Sequence, residues 1–76
     1  MNTIFLRIEK KGRGGKTVTV LEGFTQDKSH LEGLSSRLKQ SCGTGGTLRE
    51  RIIEIQGDFR LRIREILLKE GFQVKG

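Results

Sequence analysis

Apolar and polar positions alternate near the start of the chain in a way that predicts a β-hairpin. Ile4, Leu6 and Ile8 recur every second residue, which is typical of a strand with one buried face. Residues 17–21 repeat this pattern, and we expect Val18 and Val20 to face the core. The intervening residues 10–16 contain no apolar side chain, so they are predicted to form an exposed loop.

A helix is predicted in the next stretch, where leucines recur three and four residues apart. Its apolar face consists of Leu31, Leu34, Leu38 and Cys42. Ser29 and Glu32 match the capping-box motif, so we expect the helix to begin at Ser29. Gly43 is predicted to end it, because glycine readily adopts the left-handed conformation at a helix C-terminus.

Two more strands and a second helix follow. Residues 47–49 and 52–56 read as strands joined by a turn at Glu50 and Arg51, with Ile53 and Ile55 facing inward. Asp58 is predicted to cap the second helix, and Gly71 to end it. The apolar stripe of that helix consists of Phe59, Ile63, Ile66 and Leu67. A last short strand spans residues 72–75, with Phe72 and Val74 inward.

The element order is therefore ββαββαβ in a single domain, residues 1–76. Each helix has one apolar stripe and each strand one apolar face, which favours an α+β fold. We predict a two-layer α/β sandwich, with two helices on one face of a mixed four- to five-stranded sheet. The opposite face is expected to be polar and solvated. Its expected residues are Arg7, Glu9, Thr17, Thr19, Glu54 and Gln56.

The net charge of the chain indicates which kinds of binding partner it favours. The chain has 15 basic and 9 acidic residues, a formal net charge of +6, and a pI near 10.1. Such a balance favours a polyanion, either nucleic acid or an anionic membrane surface, although a basic protein without such a partner has the same composition. The clustering of charge in residues 10–16 favours nucleic acid. This basic segment consists of Lys10, Lys11, Gly12, Arg13, Gly14, Gly15 and Lys16.

Two glycine-loop motifs resemble known nucleotide- and RNA-binding loops but fail in their context. Gly15-Lys16-Thr17 resembles the end of a P-loop, but Lys10 occupies the position of the first glycine and a strand follows instead of a helix. Residues 12–15 and 43–46 each match the four-residue loop of KH domains, which joins two helices. Neither segment here joins two helices, so we reject both interpretations.

No set of residues suggests catalysis or metal binding. His30 is the lone histidine and is best interpreted as a surface residue near a helix start. Cys42 is the lone cysteine, so it cannot form an intrachain disulfide or complete a cysteine zinc site. We therefore expect no enzyme activity, no metal, no cofactor and no small-molecule substrate. The N-terminal residues resemble neither a signal peptide nor a membrane span, so we expect a cytoplasmic protein.

The basic segment is the leading candidate for RNA contact, since its lysines and arginine can neutralise phosphates. It lacks aromatic residues for base stacking, so we expect it to recognise backbone and shape. A second candidate surface consists of Arg37, Lys39, Gly43, Gly45 and Gly46. The arginines of the second helix, Arg60, Arg62 and Arg64, are interpreted as its solvated face.

Four segments, in order along the chain, resemble the eukaryotic translation initiation factor one family, known for its SUI domain. Lys11-Gly12-Arg13 with residues 16–20 and Gly23 resembles that family's opening hairpin. Residues 42–47 are similar to its central glycine loop, and residues 67–75 to its closing segment. The most specific match is the run at residues 53–60, which contains Ile-Gln-Gly-Asp.

The resemblance implies a monomeric, non-enzymatic factor that needs no cofactor. Such a factor binds the small ribosomal subunit near the peptidyl-tRNA site and influences selection of start codon and initiator tRNA. By the same resemblance, Lys10, Lys11, Arg13 and Lys16 contact ribosomal RNA, and Arg37, Lys39 and residues 43–46 form part of the ribosome-facing surface. The short form, without the extensions of eukaryotic members, suggests a bacterial or archaeal source.

The resemblance leaves two questions open, one about a turn and one about function. Bacterial-type members carry Asp-Gly where this chain has Glu50 and Arg51, so the geometry of that turn is left open. A second class of function is also open: a small basic regulatory module that binds an acidic protein partner or another structured RNA.

Overall fold

A computed structural model describes residues 3–12 and 14–76 of the chain. The predicted ββαββαβ order and α+β class are confirmed. The elements are β1 (Thr3–Lys11), β2 (Lys16–Glu22), α1 (Lys28–Cys42), β3 (Gly46–Arg49), β4 (Ile52–Gln56), α2 (Arg60–Lys69) and β5 (Gln73–Lys75).

The strands form one five-stranded sheet in the order β3-β4-β2-β1-β5. Every neighbouring pair is antiparallel except β1 and β5, which are parallel, so the sheet is mixed as predicted. β1 and β2 form a long hairpin whose register runs from Phe5 opposite Glu22 to Lys11 opposite Lys16. The ladder thus continues into the predicted loop, and the connection between the strands is residues 12–15 only.

Both helices pack on one face of the sheet, which we call the helix face. The core between the layers contains residues from every element except β3 and β5, which contribute the half-buried Leu48 and Val74. Leu31, Leu34 and Leu38 of α1 are fully buried there, as are Ile63 and Leu67 of α2. The predicted apolar stripes of both helices and the inward positions Ile53 and Ile55 are therefore confirmed.

The inward face of β2 was predicted wrongly. Leu21 lies opposite Leu6 and Ile53 in the register, so Leu21 and Thr19 face the helices while Val18 and Val20 face the other way. Val20 is fully buried, but on the opposite face, which we call the open face. Its register neighbours there are Arg7 and Glu54, whose aliphatic stems can cover it. Thr17 and Thr19 consequently do not belong to the polar open face.

The helix starts also differ from the predictions. The N-cap of α1 is Asp27, whose Oδ1 accepts a hydrogen bond of 2.9 Å from the backbone N of His30, and Ser29 lies inside the helix. The Ser29 capping box was therefore wrong. The N-cap of α2 is Phe59 instead of Asp58, although Asp58 Oδ1 accepts a 3.4 Å hydrogen bond from the Arg60 backbone N. The predicted helix ends near Gly43 and Gly71 are confirmed.

The predicted turn at Glu50 and Arg51 joins β3 to β4, and it strains its first residue. Glu50 has a φ of 53°, the one positive φ recorded at a non-glycine position within residues 3–12 and 14–76. This left-handed conformation costs a residue with a Cβ about 1 kcal/mol. We expect Glu50→Gly to raise the free energy of unfolding by about 1 kcal/mol and the melting temperature by about 4 to 8 °C. Calorimetry would check this, and Arg51→Gly, at the neighbouring position, is expected to lower stability.

Candidate nucleic-acid interface

The sheet brings both glycine loops to one of its ends. Residues 12–15 join the end of β1 to the start of β2, and Val18 of β2 lies opposite Gln56 at the end of β4. Gln56 in turn donates its backbone N–H to the Gly45 carbonyl at 3.0 Å, which places the loop before β3 at the same end. We call this region, formed by residues 10–12, 14–16, 43–46 and 57–60, the loop end.

Hydrogen bonds fix the start of α2 to the same end. The backbone N of Gly57 donates to the Thr17 carbonyl at 2.8 Å. The fully buried Thr19 hydroxyl donates to the Gly57 carbonyl at 2.7 Å and accepts from the Phe59 backbone N at 3.0 Å. Because Thr19 is held in the middle of the sheet, these bonds determine where Arg60 emerges.

The connection within the basic segment depends on glycine for its backbone conformation. Gly12, Gly14 and Gly15 have φ values of 73°, 87° and 65°. A Cβ at Gly12 or Gly14 would meet no atom within 4 Å, so the described structure offers no packing reason for these glycines. Their common feature is the left-handed backbone, which glycine adopts without steric cost. Arg13, predicted to contact RNA, lies outside the described residues.

The three lysines of the basic segment do not point the same way. Lys10 belongs to the helix-face side of β1, together with Ile4 and Leu6, whereas Lys11 and its register partner Lys16 belong to the open face. Lys10 and Lys16 are exposed, and no ion pair is recorded for either with the residues that the structure describes. Both ammonium groups are therefore available to an external anion.

Lys11 is already paired. Its Nζ lies 2.5 Å from Oε2 of Glu54 and 3.8 Å from Oε1 of Glu9. Chiefly because of the hydrogen bond from Lys11, the pKa of Glu54 lies below its usual value despite an opposing contribution from burial. Glu54 therefore stays ionised in the folded protein, and its interaction with Lys11 is lost only when the pH falls through this lowered pKa.

The Lys11 pair is part of a longer chain of charges across the open face. In spatial order its members are Glu22, Arg7, Glu9, Lys11, Glu54 and Arg49. Successive charges alternate in sign and lie 2.5–3.8 Å apart. This open-face ion chain holds three cations and three anions, so it carries no net charge. The open face is thus polar, as predicted, and the ion chain that crosses it is not a cationic surface.

Two glycines of the second loop have structural roles, of which the sequence predicted the one at Gly43 and missed the one at Gly46. Gly43 is the C-cap of α1. A Cβ at Gly46 would lie 2.4 Å from the Glu54 carbonyl oxygen, so close pairing of β3 with β4 requires glycine there. Gly45 is different, because its Cβ would make only ordinary contacts, at 3.6 Å or more, with the Gln56 side chain. Of the three predicted contact residues, Gly45 is thus the one that neither backbone conformation nor packing explains.

Arg37 lies away from the loop end, whereas Lys39 lies in the last turn of α1, where its carbonyl accepts a 3.1 Å hydrogen bond from the backbone N of Thr44. Arg37 forms a 2.7 Å ion pair with Glu70, the C-cap of α2. Since α2 begins at the loop end and spans ten residues, its C-cap lies about 15 Å away. Lys39 is half-buried on α1, in a shallow depression that it shares with Leu48 of β3. The structure therefore places Arg37 on the flank of the helix layer and Lys39 next to the loop before β3.

Two arginines that sequence reasoning assigned to a solvated helix face lie at or beside the loop end. Arg60 is exposed and forms a bidentate pair with Asp58, at 3.0 Å for each contact. Arg62 donates to the Ser41 carbonyl at 3.2 Å, next to the end of α1. A depression of about 560 Å³ lies alongside, lined in part by Arg60, Arg62 and Arg64. No sequence signal distinguished these residues, because their position follows from the Thr19 hydrogen bonds.

Other chemistries find little support in the described part of the chain. Residues 3–12 and 14–76 contain no group of three histidine, cysteine, aspartate or glutamate side chains placed to hold a metal ion. Neither described helix has the length and apolarity needed to cross a bilayer. Cys42 is half-buried, and burial raises the pKa of its thiol, which disfavours the reactive thiolate.

Comparisons with known proteins identify the family of the chain. Residues 1–73 match the family model described as translation initiation factor SUI1. The chain is 44% identical over 69 residues to a "Protein translation factor SUI1 homolog" of Sulfolobus acidocaldarius, covering 91% of this chain and 69% of that protein. A homologue of the same name from Aeropyrum pernix is also 44% identical, with coverages of 91% and 67%.

A bacterial relative is equally similar. An uncharacterised protein of Synechocystis is 44% identical over 70 residues, covering 92% of this chain and 63% of that protein. The chain spans about two-thirds of the length of these curated relatives. Because the family model covers 73 of the 76 residues, the chain belongs to the SUI1 family of translation initiation factors.

Proposed function

We propose that this protein acts in translation initiation as a monomeric, cytoplasmic, RNA-binding factor without enzymatic activity or cofactor. It docks through its loop end on ribosomal RNA of the small subunit, near the peptidyl-tRNA site. There it influences which start codon and initiator tRNA are accepted. Family membership supports the translation role, and the geometry of the loop end supports the mode of contact.

The observation that carries the proposal is the convergence of both glycine loops and the start of α2 at one end of the sheet. Lys10, Lys16 and Arg62 have no recorded carboxylate partner among the described residues, whereas the open-face ion chain is neutral. Positive charge free to meet phosphate is therefore present at the loop end. Such a surface suits the phosphate backbone and shape of folded RNA, since residues 10–16 contain no aromatic side chain for stacking.

The mechanism that fits this arrangement is occlusion. The β1–β2 hairpin extends to Lys11 and Lys16 before it turns, so a narrow, glycine-rich tip projects from the sheet. Placed next to the peptidyl site, this tip competes for space with an imperfectly paired codon and anticodon. A correctly paired codon and anticodon form more stable contacts, so they tolerate or displace the tip. Selection then depends on the difference in binding free energy between correct and imperfect pairs.

Co-sedimentation with purified small ribosomal subunits tests the proposal. The combined variant Lys10→Glu, Arg13→Glu and Lys16→Glu reverses three charges of the basic segment. We expect it to lower the affinity for small subunits at least 100-fold and to flatten the dependence of binding on salt, because it removes up to three phosphate contacts. The thermal transition should remain cooperative, since both described lysines are exposed.

A matched control reverses three charges away from the loop end: Lys28→Glu, Arg51→Glu and Lys75→Glu. The net charge changes by the same amount, so a loss of binding in both variants would reflect overall charge. The proposal predicts that the control retains most of its affinity. Equal binding by the basic-segment variant and the unaltered protein, with intact folding, would refute it.

A second candidate function is a regulatory module that binds an acidic protein. The observation that favours it is the outer face of α2, where Leu61 is 78% exposed and Leu68 53% exposed on a helix that carries more basic than acidic residues. Affinity capture with and without ribonuclease discriminates the two candidates. Capture of ribosomal RNA that disappears on ribonuclease treatment supports the first, whereas a stoichiometric acidic protein that survives it supports the second.

A further inference from the structure

Lys11 has the sequence position of an RNA contact but the surroundings of a structural ion pair. It is the last residue of β1, directly opposite Lys16 in the hairpin register. Two like charges placed opposite each other in a sheet destabilise the pairing. Glu54, 43 residues further along the chain, offsets this repulsion by accepting a hydrogen bond from the Lys11 ammonium group. The ammonium is thereby drawn onto the open face instead of extending past the hairpin tip.

Glu54 also engages a second cation. Arg49 of β3 approaches the same Oε2 atom at 3.4 Å, so one carboxylate lies between Lys11 and Arg49. Its side chain is only 16% exposed, whereas those of Lys11 and Arg49 are 38% and 70% exposed. An anion partly shielded from water interacts more strongly with adjacent cations than a fully hydrated one does. Glu54 is thus the least exposed residue in its part of the open-face ion chain.

Removing the Glu54 carboxylate would change the net charge of the open-face ion chain. With Glu54 neutral, the chain would hold three cations against two anions, and Lys11, Lys16 and Arg49 would carry positive charge from β3 to β1. A flexible polyanion could then bind across the sheet without regard to the shape of the loop end. With Glu54 ionised, Lys11 and Arg49 are paired with its carboxylate, whereas no ion pair is recorded for Lys10 or Lys16 at the loop end with the residues that the structure describes.

We propose that Glu54 is a specificity-determining residue, which withholds Lys11 and Arg49 from phosphate and so confines RNA contact to the loop end. Lys11 is then a positioning residue at the base of the hairpin tip, and not a phosphate ligand. This inference builds on the proposed RNA-binding function. It concerns discrimination between RNAs, and it can be measured with an unstructured RNA that has no ribosomal site.

The test measures the affinity for poly(U) at several salt concentrations in the unaltered protein and in three variants. Each lysine that contacts a phosphate of a single strand contributes about 0.7 to the slope of log affinity against log salt. We expect Lys16→Gln to flatten the slope by about 0.7, and Lys11→Gln to leave it unchanged. Glu54→Gln should steepen it by about 0.7 to 1.4, because it releases one or both cations.

Two further variants separate charge sequestration from other effects. Glu65→Gln adds the same net charge on the exposed outer side of α2, and we expect the poly(U) slope to stay unchanged. The double variant Lys11→Gln with Glu54→Gln should have a less steep slope of log affinity against log salt than Glu54→Gln alone. Lys11→Arg, which keeps the ion pair, should match the unaltered protein in slope and in melting temperature.

Each outcome of these measurements either supports or overturns the inference about Glu54. A flatter slope for Lys11→Gln, equal to that of Lys16→Gln, would show that Lys11 contacts phosphate and would overturn the inference. So would a Glu54→Gln slope that is unchanged or flatter, and the Lys11→Gln measurement decides alone if Glu54→Gln does not fold. If the poly(U) slopes change as expected while neither the unaltered protein nor any variant binds small subunits, the proposed ribosomal function is refuted. The inference about Glu54 then still stands.

Discussion

Thr19→Val is expected to destabilise the protein by about 2 to 4 kcal/mol, because it leaves two buried backbone groups without a hydrogen-bond partner. The Thr19 hydroxyl donates to the Gly57 carbonyl and accepts from the Phe59 N–H, and Thr19 is fully buried. Valine has nearly the same shape, so no cavity forms and the lost hydrogen bonds dominate the effect. For a domain of this size we expect the melting temperature to fall by roughly 8 to 30 °C.

Thr17→Val is the matched control. Thr17 lies two residues earlier on the same face of β2 and is only half-buried. The same chemical change there is expected to alter stability by less than about 0.5 kcal/mol, as is usual away from buried polar groups. Thermal melts of both variants, followed by circular dichroism, make the comparison. If the two variants melt at the same temperature, the Thr19 hydrogen bonds do not stabilise the start of α2.

The second large effect is expected at Gly46. Gly46→Ala would place a Cβ 2.4 Å from the Glu54 carbonyl oxygen and 3.0 Å from Cδ1 of Ile55, so β3 must move away from β4. We expect a loss of about 2 to 3 kcal/mol of stability, at the upper end of the cost of overpacking, since the nearer contact is to backbone. Chemical denaturation would measure the loss.

Gly45→Ala, at the adjacent position, separates structure from RNA contact. Its Cβ would meet only the flexible Gln56 side chain at ordinary distances, so stability should change by less than about 0.5 kcal/mol. If the loop before β3 approaches RNA closely, this variant loses affinity for small subunits while its melting temperature stays the same. Equal destabilisation by Gly45→Ala and Gly46→Ala would contradict the steric argument.

Much of the fold follows from periodicity in the sequence. The leucines of α1, together with Ile63 and Leu67 of α2, have the spacing of a single buried helical stripe, and all of them are buried. The exception is β2, where the threonine–valine alternation wrongly suggested that the valines face inward. Both faces of that strand are covered near its end, since Thr19, Val20 and Leu21 are all fully buried. Only the pairing of Leu21 with Leu6 decides the direction, and local sequence does not specify pairing.

The candidate site was less accessible to prediction, because its electrostatics depend on long-range pairing. The sequence identifies residues 10–16 as a cationic cluster, but it does not show that Glu54 neutralises Lys11. Likewise, Glu70 binds Arg37 across 33 residues of chain and holds it on the flank of the helix layer. Charge counted along the sequence therefore overestimates the charge that a partner meets. The roles of the individual cations in RNA binding stay predictions until the variants are measured.

The parallel pairing of β1 with β5 has a consequence for the order of folding. Thr3 lies opposite Gln73 in the register, so this edge of the sheet closes a loop of about seventy residues. Closing such a loop is entropically costly and becomes favourable only after the intervening strands and helices have formed. During synthesis β1 cannot pair with β5 until the segment through Lys75 has left the ribosome. Until then the outer edge of β1 has no strand partner. Refolding is therefore expected to be limited by assembly of this edge, and not by formation of the β1–β2 hairpin.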